Sequence, residues 1–323
     1  MILVTGGTGF IGRHLVARLV AQGRAVRCLV RRSSPIAGLP RAGLELAYGD
    51  LVSGEGLAEA LRGVDTVIHL AGVTKARTAS GYYAGNARAT ANLVRAAGDV
   101  GWFVHVSSMA AAGPSAAGCP LVEDAAPHPV SHYGRSKLAA EEALRESPLW
   151  ERAAIVRPPV VYGPGDKDVF QVIRTAARGW MLQIGKAERR FSHVYVEDLA
   201  EGLLAAADRR ETGGRIWYVA HRDPVSWNEF GAAVGRLLGR SVRTLTIPEK
   251  AAFAAGLCAE WFSRLSRTPG ILSRDKVAEA CCPGWVCDSS RACRELGFCA
   301  STGLEEGLRR ALAWYREAGW LKI

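Results

Sequence analysis

Residues 1–12 read MILVTGGTGFIG, an apolar run that leads into glycines spaced as G-x-x-G-x-x-G. The apolar run predicts a buried strand, and the pattern that follows predicts a helix. Gly6 permits the tight turn between them, Gly9 lets the backbone approach a pyrophosphate, and Gly12 lets the helix pack on the strand. Phe10 and Ile11 share this turn, where amide groups at the helix N-terminus meet the phosphates. Directly after a strand, the spacing predicts a dinucleotide-binding turn.

Beyond this turn, the first half of the chain alternates short β-rich runs with helical patterns. The predicted strands are residues 2–5, 25–30, 44–48, 66–70, 102–107 and 153–157. The predicted helices between them include residues 11–22, 56–61 and 83–97. Several strands are almost continuously apolar, as strands covered on both faces are. The alternation therefore predicts an α/β fold with a doubly wound parallel sheet of the Rossmann type.

After residue 165 the pattern changes. A stretch rich in proline and glycine precedes mixed helices and short strands, with helices predicted at 198–208, 226–238, 248–265 and 303–320 and a strand at 216–220. We expect residues 1–165 to form the nucleotide-binding domain. We expect residues 166–323 to form a smaller substrate-binding lobe that is partly interleaved with the sheet and closes over the ligand.

The composition is that of a soluble globular protein, with 49% hydrophobic and 22% charged residues and a net charge of +10. No uncharged apolar run is long enough to span a membrane, and the first residues do not resemble a secretory signal. The basic residues are scattered arginines without aromatic alternation, so we expect no nucleic-acid partner. The eight cysteines match no zinc pattern. We therefore expect no metal, reduced thiols and a cytoplasmic location.

A second informative stretch is YGRSK, residues 133–137. Tyr133 and Lys137 are four residues apart and so share one face of a helix. An ammonium beside a phenol favours the phenolate, which would let Tyr133 exchange a proton near neutral pH. Ser108 adds a hydroxyl at the end of a predicted strand. A nucleotide-binding turn followed by this set predicts hydride transfer at a carbon that bears oxygen.

The end of the second predicted strand bears on cofactor choice. A site selective for NAD usually places a carboxylate there, to bind the ribose 2′-hydroxyl. Here Arg31 occupies that position, followed by Arg32 and Ser33. A guanidinium suits a 2′-phosphate through charge-assisted hydrogen bonds. The sequence therefore favours NADP, with NAD as the alternative.

Polar residues also follow the third and fourth predicted strands. Asp50 follows the third and either binds the adenine amino group or caps the next helix, and the sequence leaves both roles open. His69 ends the fourth strand beside the expected cofactor groove, where it is more readily a hydrogen-bonded core residue than a catalyst.

Taken together, these motifs resemble the extended branch of the short-chain dehydrogenase/reductase superfamily, also called the NAD-dependent epimerase/dehydratase family. The matching pieces are TGGTGFIG (5–12), Asp50-Leu51, Leu70-Ala71-Gly72, Asn86, Ser107-Ser108, Tyr133-x-x-x-Lys137, RPPVVYGPG (157–165) and FSHVYVEDLA (191–200). They cover nearly the whole chain.

The resemblance implies roles for individual residues. Tyr133 would be the general acid/base, Lys137 would bind the nicotinamide ribose and lower the Tyr133 pKa, and Ser108 would bind the reacting oxygen. Ser108 is preferred to Ser107 because the family's catalytic hydroxyl commonly precedes a run of small residues ending in glycine. The further cofactor contacts that the resemblance implies are Asp50, Leu51, Leu70, Ala71, Gly72, Asn86, Pro158 and Val161.

The resemblance also bears on the substrate. The PPVVYGPG form is closer to the hydroxysteroid-dehydrogenase-like and dihydroflavonol-reductase-like branches, which act on bulkier and less charged molecules. Phe191 stands where sugar-nucleotide epimerases tend to place an arginine, although Arg189 and Arg190 precede it. Met109-Ala110 replaces the acidic pair of a dehydratase. The apolar stretch 251–265, with Phe253, Leu257, Trp261 and Phe262, either lines a pocket or is core, and core is the commoner role.

The resulting hypothesis is an NADP-dependent oxidoreductase that acts on a small-molecule alcohol/ketone pair. A nucleotide-sugar epimerase with tightly bound NAD is the alternative, and a non-catalytic NADP-binding regulator is a second. The resemblance further implies a homodimer, paired through the helices of Asn86 and Tyr133 in a four-helix bundle.

Overall fold

Seven parallel strands form the central sheet of the computed structural model, which describes residues 1–266 and 274–322. Within those ranges, side chains are described everywhere except at residues 212 and 260–266.

The elements are numbered in chain order. The strands are β1 (Ile2–Thr5), β2 (Val26–Val30), β3 (Leu44–Tyr48), β4 (Thr66–His69), β5 (Trp102–Val106), β6 (Ala153–Arg157), β7 (Val160–Tyr162), β8 (Trp180–Ile184), β9 (Arg190–Phe191), β10 (His193–Tyr195), β11 (Arg215–Tyr218), β12 (Val225–Ser226), β13 (Arg243–Ile247) and β14 (Gly284–Trp285). The helices are α1 (Phe10–Ala21), α2 (Leu57–Ala60), α3 (Ala79–Tyr83), α4 (Ala89–Ala96), α5 (Met109–Ala112), α6 (His132–Arg145), α7 (Val169–Ala177), α8 (Val196–Asp208), α9 (Trp227–Leu238), α10 (Glu249–Ser266), α11 (Arg274–Cys281), α12 (Ser290–Leu296) and α13 (Leu304–Glu317). A π-helical turn, Ala84–Arg88, joins α3 to α4.

The order of the central sheet is β11-β6-β5-β4-β1-β2-β3, and every neighbouring pair is parallel. The prediction of a doubly wound Rossmann sheet is therefore confirmed. The six predicted strands of this sheet agree with the structure to within one residue at each end. The strand order reverses between β1 and β4, which is where open α/β sheets of this kind bind their ligands.

The second half of the chain adds to this sheet. The edge strand β11 pairs with β6, and Leu199 and Leu203 of α8 are fully buried in the core that also contains Val4 of β1. The indole Nε1 of Trp102 donates to the Ala206 carbonyl at 2.9 Å. The strand predicted at 216–220 thus belongs to the central sheet, as β11 at its edge.

A separate core lies in the second half of the chain. It contains Phe170 and Ile173 of α7, Phe230 of α9 and Tyr315 of α13. Three small sheets accompany it, made of β7 with β10, of β9 between β12 and β14, and of β8 with β13. This part of the chain therefore has its own packing, apart from the elements that join the central sheet.

The composition gave two expectations, one about the cysteines and one about membrane-spanning segments. Cys293 and Cys299 form a disulfide bond, which corrects the expectation of reduced thiols for that pair, while the other six cysteines are free. The two cysteines meet because the loop after α12 brings Cys299 back to that helix. Among the described helices, none is long and apolar enough to cross a membrane.

Candidate active site

The glycine-rich turn lies between β1 and α1 as predicted. Gly6 has φ +72°, and a Cβ there would lie 2.7 Å from the Ala71 amide nitrogen. A Cβ at Gly12 would overlap the Gly6 carbonyl oxygen. The Gly9 amide donates to Gly6 O at 3.0 Å, and α1 begins with Phe10 and no acidic residue in its first turn. The helix N-terminus therefore suits an anionic group.

The loop that follows β4 is held in place by β1 on one side and by the π-helical turn on the other. The Ala71 amide donates to Thr5 Oγ1, which ties the loop after β4 to β1. Asn86 is buried and fixes Val73, two residues further along that loop, since its Oδ1 accepts from the Val73 amide at 2.7 Å. Its Nδ2 donates to Ser136 Oγ at 2.8 Å. Asn86 therefore holds the loop against α6.

Lys137 reaches from α6 to the carboxyl edge of the sheet. Its Nζ donates to the Val106 carbonyl at 2.8 Å and would lie 3.7 Å from a Cβ built on Gly72. Burial lowers the pKa of Lys137 to about 8, although Glu141 acts in the opposite direction. The ammonium is thus placed where the loop after β4 meets the end of β5.

Tyr133 and Ser108 come together because α6 packs closely on α5. A Cβ at Gly134 would overlap the Ala110 carbonyl oxygen, so only glycine permits this approach. Ser108 caps α5 by accepting from the Ala110 amide at 3.1 Å, and its side chain lies close enough to the Tyr133 hydroxyl to lower the Tyr133 pKa. The structure therefore unites the predicted serine, tyrosine and lysine at one edge of the sheet.

The direction of the Tyr133 pKa differs from the expectation. Burial raises the pKa of Tyr133, while the Ser108 hydroxyl and the Lys276 ammonium lower it less strongly. Lys137 was expected to be the cation that lowers this pKa, but its Nζ is directed to the Val106 carbonyl instead. The buried surroundings of Tyr133 therefore favour its protonated form.

The preference for Ser108 over Ser107 is supported by the surroundings of each hydroxyl. Ser107 is buried and donates to Glu141 Oε1 at 2.6 Å. Glu141 also accepts two hydrogen bonds from Arg157, at 2.9 and 2.6 Å, inside the protein. Ser107 therefore belongs to a buried ionic network, and Ser108 faces the groove.

Helix α11 adds residues that the sequence reasoning missed. Lys276 Nζ lies 5.5 Å from the centre of the Tyr133 ring and pairs with Glu279 at 2.8 Å. Asp275 Oδ2 accepts the His132 amide at 2.7 Å, which docks α11 on the first turn of α6. Nothing local in the sequence signals this contact, because about 140 residues separate the two helices.

The residues expected around the adenosine lie after β2 and β3. Arg31 is exposed directly after β2, and its amide donates to Ser34 Oγ at 3.1 Å. Asp50 Oδ1 accepts the amides of Val52 and Ser53 at 2.7 and 3.0 Å and so closes the turn after β3, whereas the cap position of the next helix, α2, is Gly56. The Leu51 carbonyl accepts from Asn92.

The structure also places His69, Pro158 and Val161, which lie after or near the ends of β4, β6 and β7. His69 is buried between Thr5 Oγ1 at 2.6 Å and Thr90 Oγ1 at 3.0 Å, and burial lowers its pKa to about 3, so it is a neutral core residue as predicted. The Pro158 carbonyl accepts the Met109 amide at 2.9 Å. Val161 is partly buried in β7.

The segment 189–191, where sugar-nucleotide epimerases tend to place an arginine, has its two arginines in ion pairs. Phe191 is buried and stacks on Trp227 at 4.2 Å. Arg189 pairs with Glu249 at 2.6 Å, and Arg190 pairs with Glu229 at 3.2 Å. Among the described residues, no group of three or more histidine, cysteine or acidic side chains is arranged to hold a metal ion.

The described part of the apolar stretch in α10 is divided between buried and exposed positions. Ala252 is buried, whereas Phe253 and Leu257 are exposed. Trp261 and Phe262 lie outside the residues whose side chains the structure describes.

Comparisons with known proteins agree with this geometry. Residues 2–220 match the model of the NAD dependent epimerase/dehydratase family. The chain is 33% identical to the ceramide reductase of Caulobacter vibrioides, over 99% of this chain and 96% of that protein. It is 29% identical to the 4-hydroxy-2-methyl-3-oxo-4-farnesyl-3,4-dihydroquinoline-1-oxide ketoreductase of Stigmatella aurantiaca, over 94% of this chain and 93% of that protein. The solved structure of MoeE5 in complex with UDP-glucose and NAD is 29% identical and superimposes with a TM-score of 0.79, covering 98% of this chain and 99% of that chain.

Proposed function

This chain belongs to the NAD-dependent epimerase/dehydratase family and is an NAD(P)-dependent oxidoreductase of the extended short-chain dehydrogenase/reductase type, and we propose that it uses NADPH to reduce the ketone of a bulky, largely apolar small molecule. The observation that carries this proposal is the meeting of Ser108 with Tyr133, whose pKa burial raises. Reduction needs a protonated Tyr133, and oxidation needs an ionised one. A raised pKa therefore favours reduction at neutral pH.

The carboxyl edge of the sheet fits a dinucleotide. The positions of Gly6 and Gly12 admit no Cβ, which keeps the amides at the start of α1 accessible to a pyrophosphate. The buried Lys137 ammonium lies beside Gly72, where it would hydrogen-bond ribose hydroxyls. When bound, the cofactor supplies a hydride from its nicotinamide ring. The same fit supports cofactor contacts at Gly9, Phe10, Ile11, Leu70, Ala71, Pro158 and Val161.

Side chains of this protein transfer the proton to the substrate oxygen. The Tyr133 hydroxyl donates its proton to the substrate oxygen, and the Ser108 hydroxyl donates a hydrogen bond to the same oxygen. Asn86 and Ser136 hold α6 in place, so that Tyr133 and Lys137 keep their positions along the groove. We propose Ser108, Tyr133 and Lys137 as the catalytic residues on this basis.

We propose NADP rather than NAD because of Arg31. Its exposed guanidinium follows β2, the strand whose end binds the adenosine ribose in Rossmann sheets, and no carboxylate stands there. Asp50 is occupied by the amides of Val52 and Ser53, and it stays a weaker candidate for an adenine contact. In Arg31→Asp, we expect NADPH affinity to fall by roughly 100-fold, with NADH affinity nearly unchanged. Equal loss of both affinities would contradict the assignment.

We propose an apolar substrate because the two arginines that precede Phe191 are held in ion pairs. Arg189 and Arg190 pair with Glu249 and Glu229, and Phe191 is buried, so this described segment presents no free cation to a diphosphate. The names of two relatives, a ceramide reductase and a ketoreductase of a farnesyl-bearing molecule, support a ketone on a molecule with long apolar chains. The likeness to MoeE5 with UDP-glucose keeps nucleotide-sugar epimerisation as the second candidate.

The test is NADPH consumption by the purified protein with a panel of a long-chain β-keto amide, a short-chain ketone and UDP-glucose. We expect net NADPH oxidation with the long-chain ketone, and a loss of roughly 100- to 10,000-fold in kcat for Tyr133→Phe with NADPH binding retained. Tyr82→Phe is the matched control, because its ring lies 6.3 Å from that of Tyr133. Sugar interconversion without NADPH consumption would mark an epimerase, and neither activity would mark a regulator.

The remaining proposals concern organisation. We propose that residues 166–323 supply the substrate-binding lobe, since α11 from that part of the chain contacts Tyr133.

We also propose a homodimer that pairs through the helices of Asn86 and Tyr133. Light scattering tests it, and a monomer would contradict it. Ala139 and Ala143 of α6 remain partly exposed for such a contact, whereas Ala89 and Ala140 are already buried within the protomer.

We propose a cytoplasmic location because NADPH is regenerated there, and cell fractionation tests it.

A further inference from the structure

The small parallel sheet of β8 and β13 exposes an apolar face. The register pairs Trp180 with Arg243 and Leu182 with Leu245, so these four side chains share one face. Trp180 is 47% exposed, Leu182 53% and Leu245 51%. Large apolar side chains that remain this exposed side by side commonly mark an interaction surface. We call these four residues the β8–β13 face.

The opposite side of the same sheet is packed against the protein. Met181 is buried against Gly231 of α9, and Thr244 Oγ1 hydrogen-bonds Asn228 Oδ1 at 2.9 Å. Since side chains alternate along a strand, the burial of Met181 turns Trp180 and Leu182 outward, whereas Thr244 stays exposed beside its hydrogen bond to Asn228. The packing of α9 therefore fixes the orientation of β8, and the register of the pair places Leu245 beside Leu182.

A cationic cavity lies at the start of both strands. The Arg243 amide donates to Gly179 O at 2.9 Å, and Gly179 follows the C-terminal end of α7. The cavity has a volume of about 280 Å³, and its lining includes four cationic side chains and no acidic one. The cationic lining residues are Arg174, Arg178, Arg240 and Lys322. Arg240 is fixed there by donating to the Ala177 carbonyl at 2.9 Å.

We propose that the β8–β13 face and the adjoining cationic cavity dock the protein on an anionic lipid bilayer. Trp180, Leu182 and Leu245 enter the interfacial region, where tryptophan and leucine are both favoured. The cations of the cavity bind lipid phosphates, and each adds attraction to a negatively charged membrane surface. A second copy of this chain fits less well, because it would bring the same cations together in a molecule of net charge +10.

This docking goes beyond the proposed reaction and does not depend on it. Phe253 and Leu257 are also exposed and lie one turn apart on α10, the helix that follows β13 in the chain. A reductase placed on a bilayer would meet a substrate with long apolar chains where such molecules reside. The docking is nevertheless measured without any substrate.

The test is co-sedimentation of the full chain with mixed phosphatidylglycerol–phosphatidylcholine vesicles and with pure phosphatidylcholine vesicles. We expect binding to the anionic vesicles alone, weakened by salt. The double variant Leu182→Ser/Leu245→Ser should lower partitioning by about tenfold or more, and Arg178→Gln/Arg240→Gln by roughly 30-fold. Val122→Ser and Arg62→Gln are the matched controls, and both should bind normally. Val122 is an apolar residue that is 46% exposed outside the β8–β13 face, and Arg62 follows the end of α2 rather than the end of α7.

Three outcomes would overturn the docking. The first is no binding of the native chain to anionic vesicles. The second is a control variant that loses as much binding as the variants of the face. The third is a dimer in light scattering that Leu182→Ser disrupts, which would make the face an interface between two copies. Circular dichroism and NADPH binding of each variant establish that it is folded, and a failure to reduce any ketone leaves these outcomes unaffected.

Discussion

At the level of single residues, four of the five positions in the stretch 133–137 make contacts that explain their residue type. Tyr133 carries the hydroxyl beside Ser108, Gly134 permits contact with Ala110, and Ser136 accepts from Asn86. Lys137 reaches the end of β5. A single position along the chain separates Ser107, which is bound to Glu141, from Ser108, which faces the groove. The chemistry thus depends on which way each neighbouring side chain points.

The charges that face Tyr133 from α11 give a prediction about pH. Lys276 lowers the Tyr133 pKa and Glu279 raises it, so removing each should act in opposite directions. In Lys276→Met, we expect the limb of the pH–rate profile that reports Tyr133 to move to higher pH. In Glu279→Gln, we expect it to move to lower pH. The measurement is kcat/KM against pH, in the direction of alcohol oxidation, with the pair that is turned over in the panel above.

Lys250→Met is the control for this prediction, since Lys250 is an exposed lysine at the start of α10. It should leave the profile unchanged. Shifts of the same sign for Lys276→Met and Glu279→Gln would show that α11 acts by packing rather than by charge.

At the scale of elements, the site is assembled by three contacts onto α6. Helix α5 touches its first turn at Gly134, the π-helical turn holds Ser136 through Asn86, and α11 docks through Asp275 onto the His132 amide. The contacts come from three separate segments of the chain. The position of α6 therefore sets the distance between Tyr133 and the groove.

Gly134→Ala tests that argument. The new Cβ would overlap the Ala110 carbonyl oxygen, and a backbone atom cannot move aside cheaply. We expect a loss of about 1–3 kcal/mol in the free energy of unfolding and a fall of roughly 100-fold in kcat as Tyr133 leaves Ser108. Chemical denaturation and steady-state kinetics measure the two effects.

The matched control is Gly98→Ala, where the atom nearest to an added Cβ, the Arg95 carbonyl oxygen, lies 4.0 Å away. Stability and kcat should both stay close to those of the unchanged chain. If Gly134→Ala behaved like this control, the close approach of α5 and α6 would not be required.

At the scale of the whole molecule, a buried ionic network joins the sheet to α6. Glu141 of α6 accepts from Ser107 after β5 and from Arg157 of β6. The Arg157 guanidinium also lies over the ring of Tyr218 in β11. The network therefore links the edge strand, contributed by the second half of the chain, to the helix that carries Tyr133.

Glu141→Gln should strongly destabilise the fold, because it leaves the Arg157 guanidinium buried without a carboxylate. We expect a loss of about 3–5 kcal/mol in the free energy of unfolding, measured by urea denaturation. Glu142→Gln on the exposed side of the same helix should cost almost nothing. Similar losses in the two variants would exclude the network as a main source of stability.

The parallel sheet, the glycine turn and the helical spacing of Tyr133 and Lys137 could all be predicted from the sequence. Each of these features is local, since a run of apolar residues, a glycine spacing or a four-residue interval sets it. The raised Tyr133 pKa, the Lys276 ammonium near its ring and the pairing of β11 with β6 became evident only in the folded chain. Burial and charge at a site depend on segments that are distant in sequence, and no local pattern encodes how these segments approach each other.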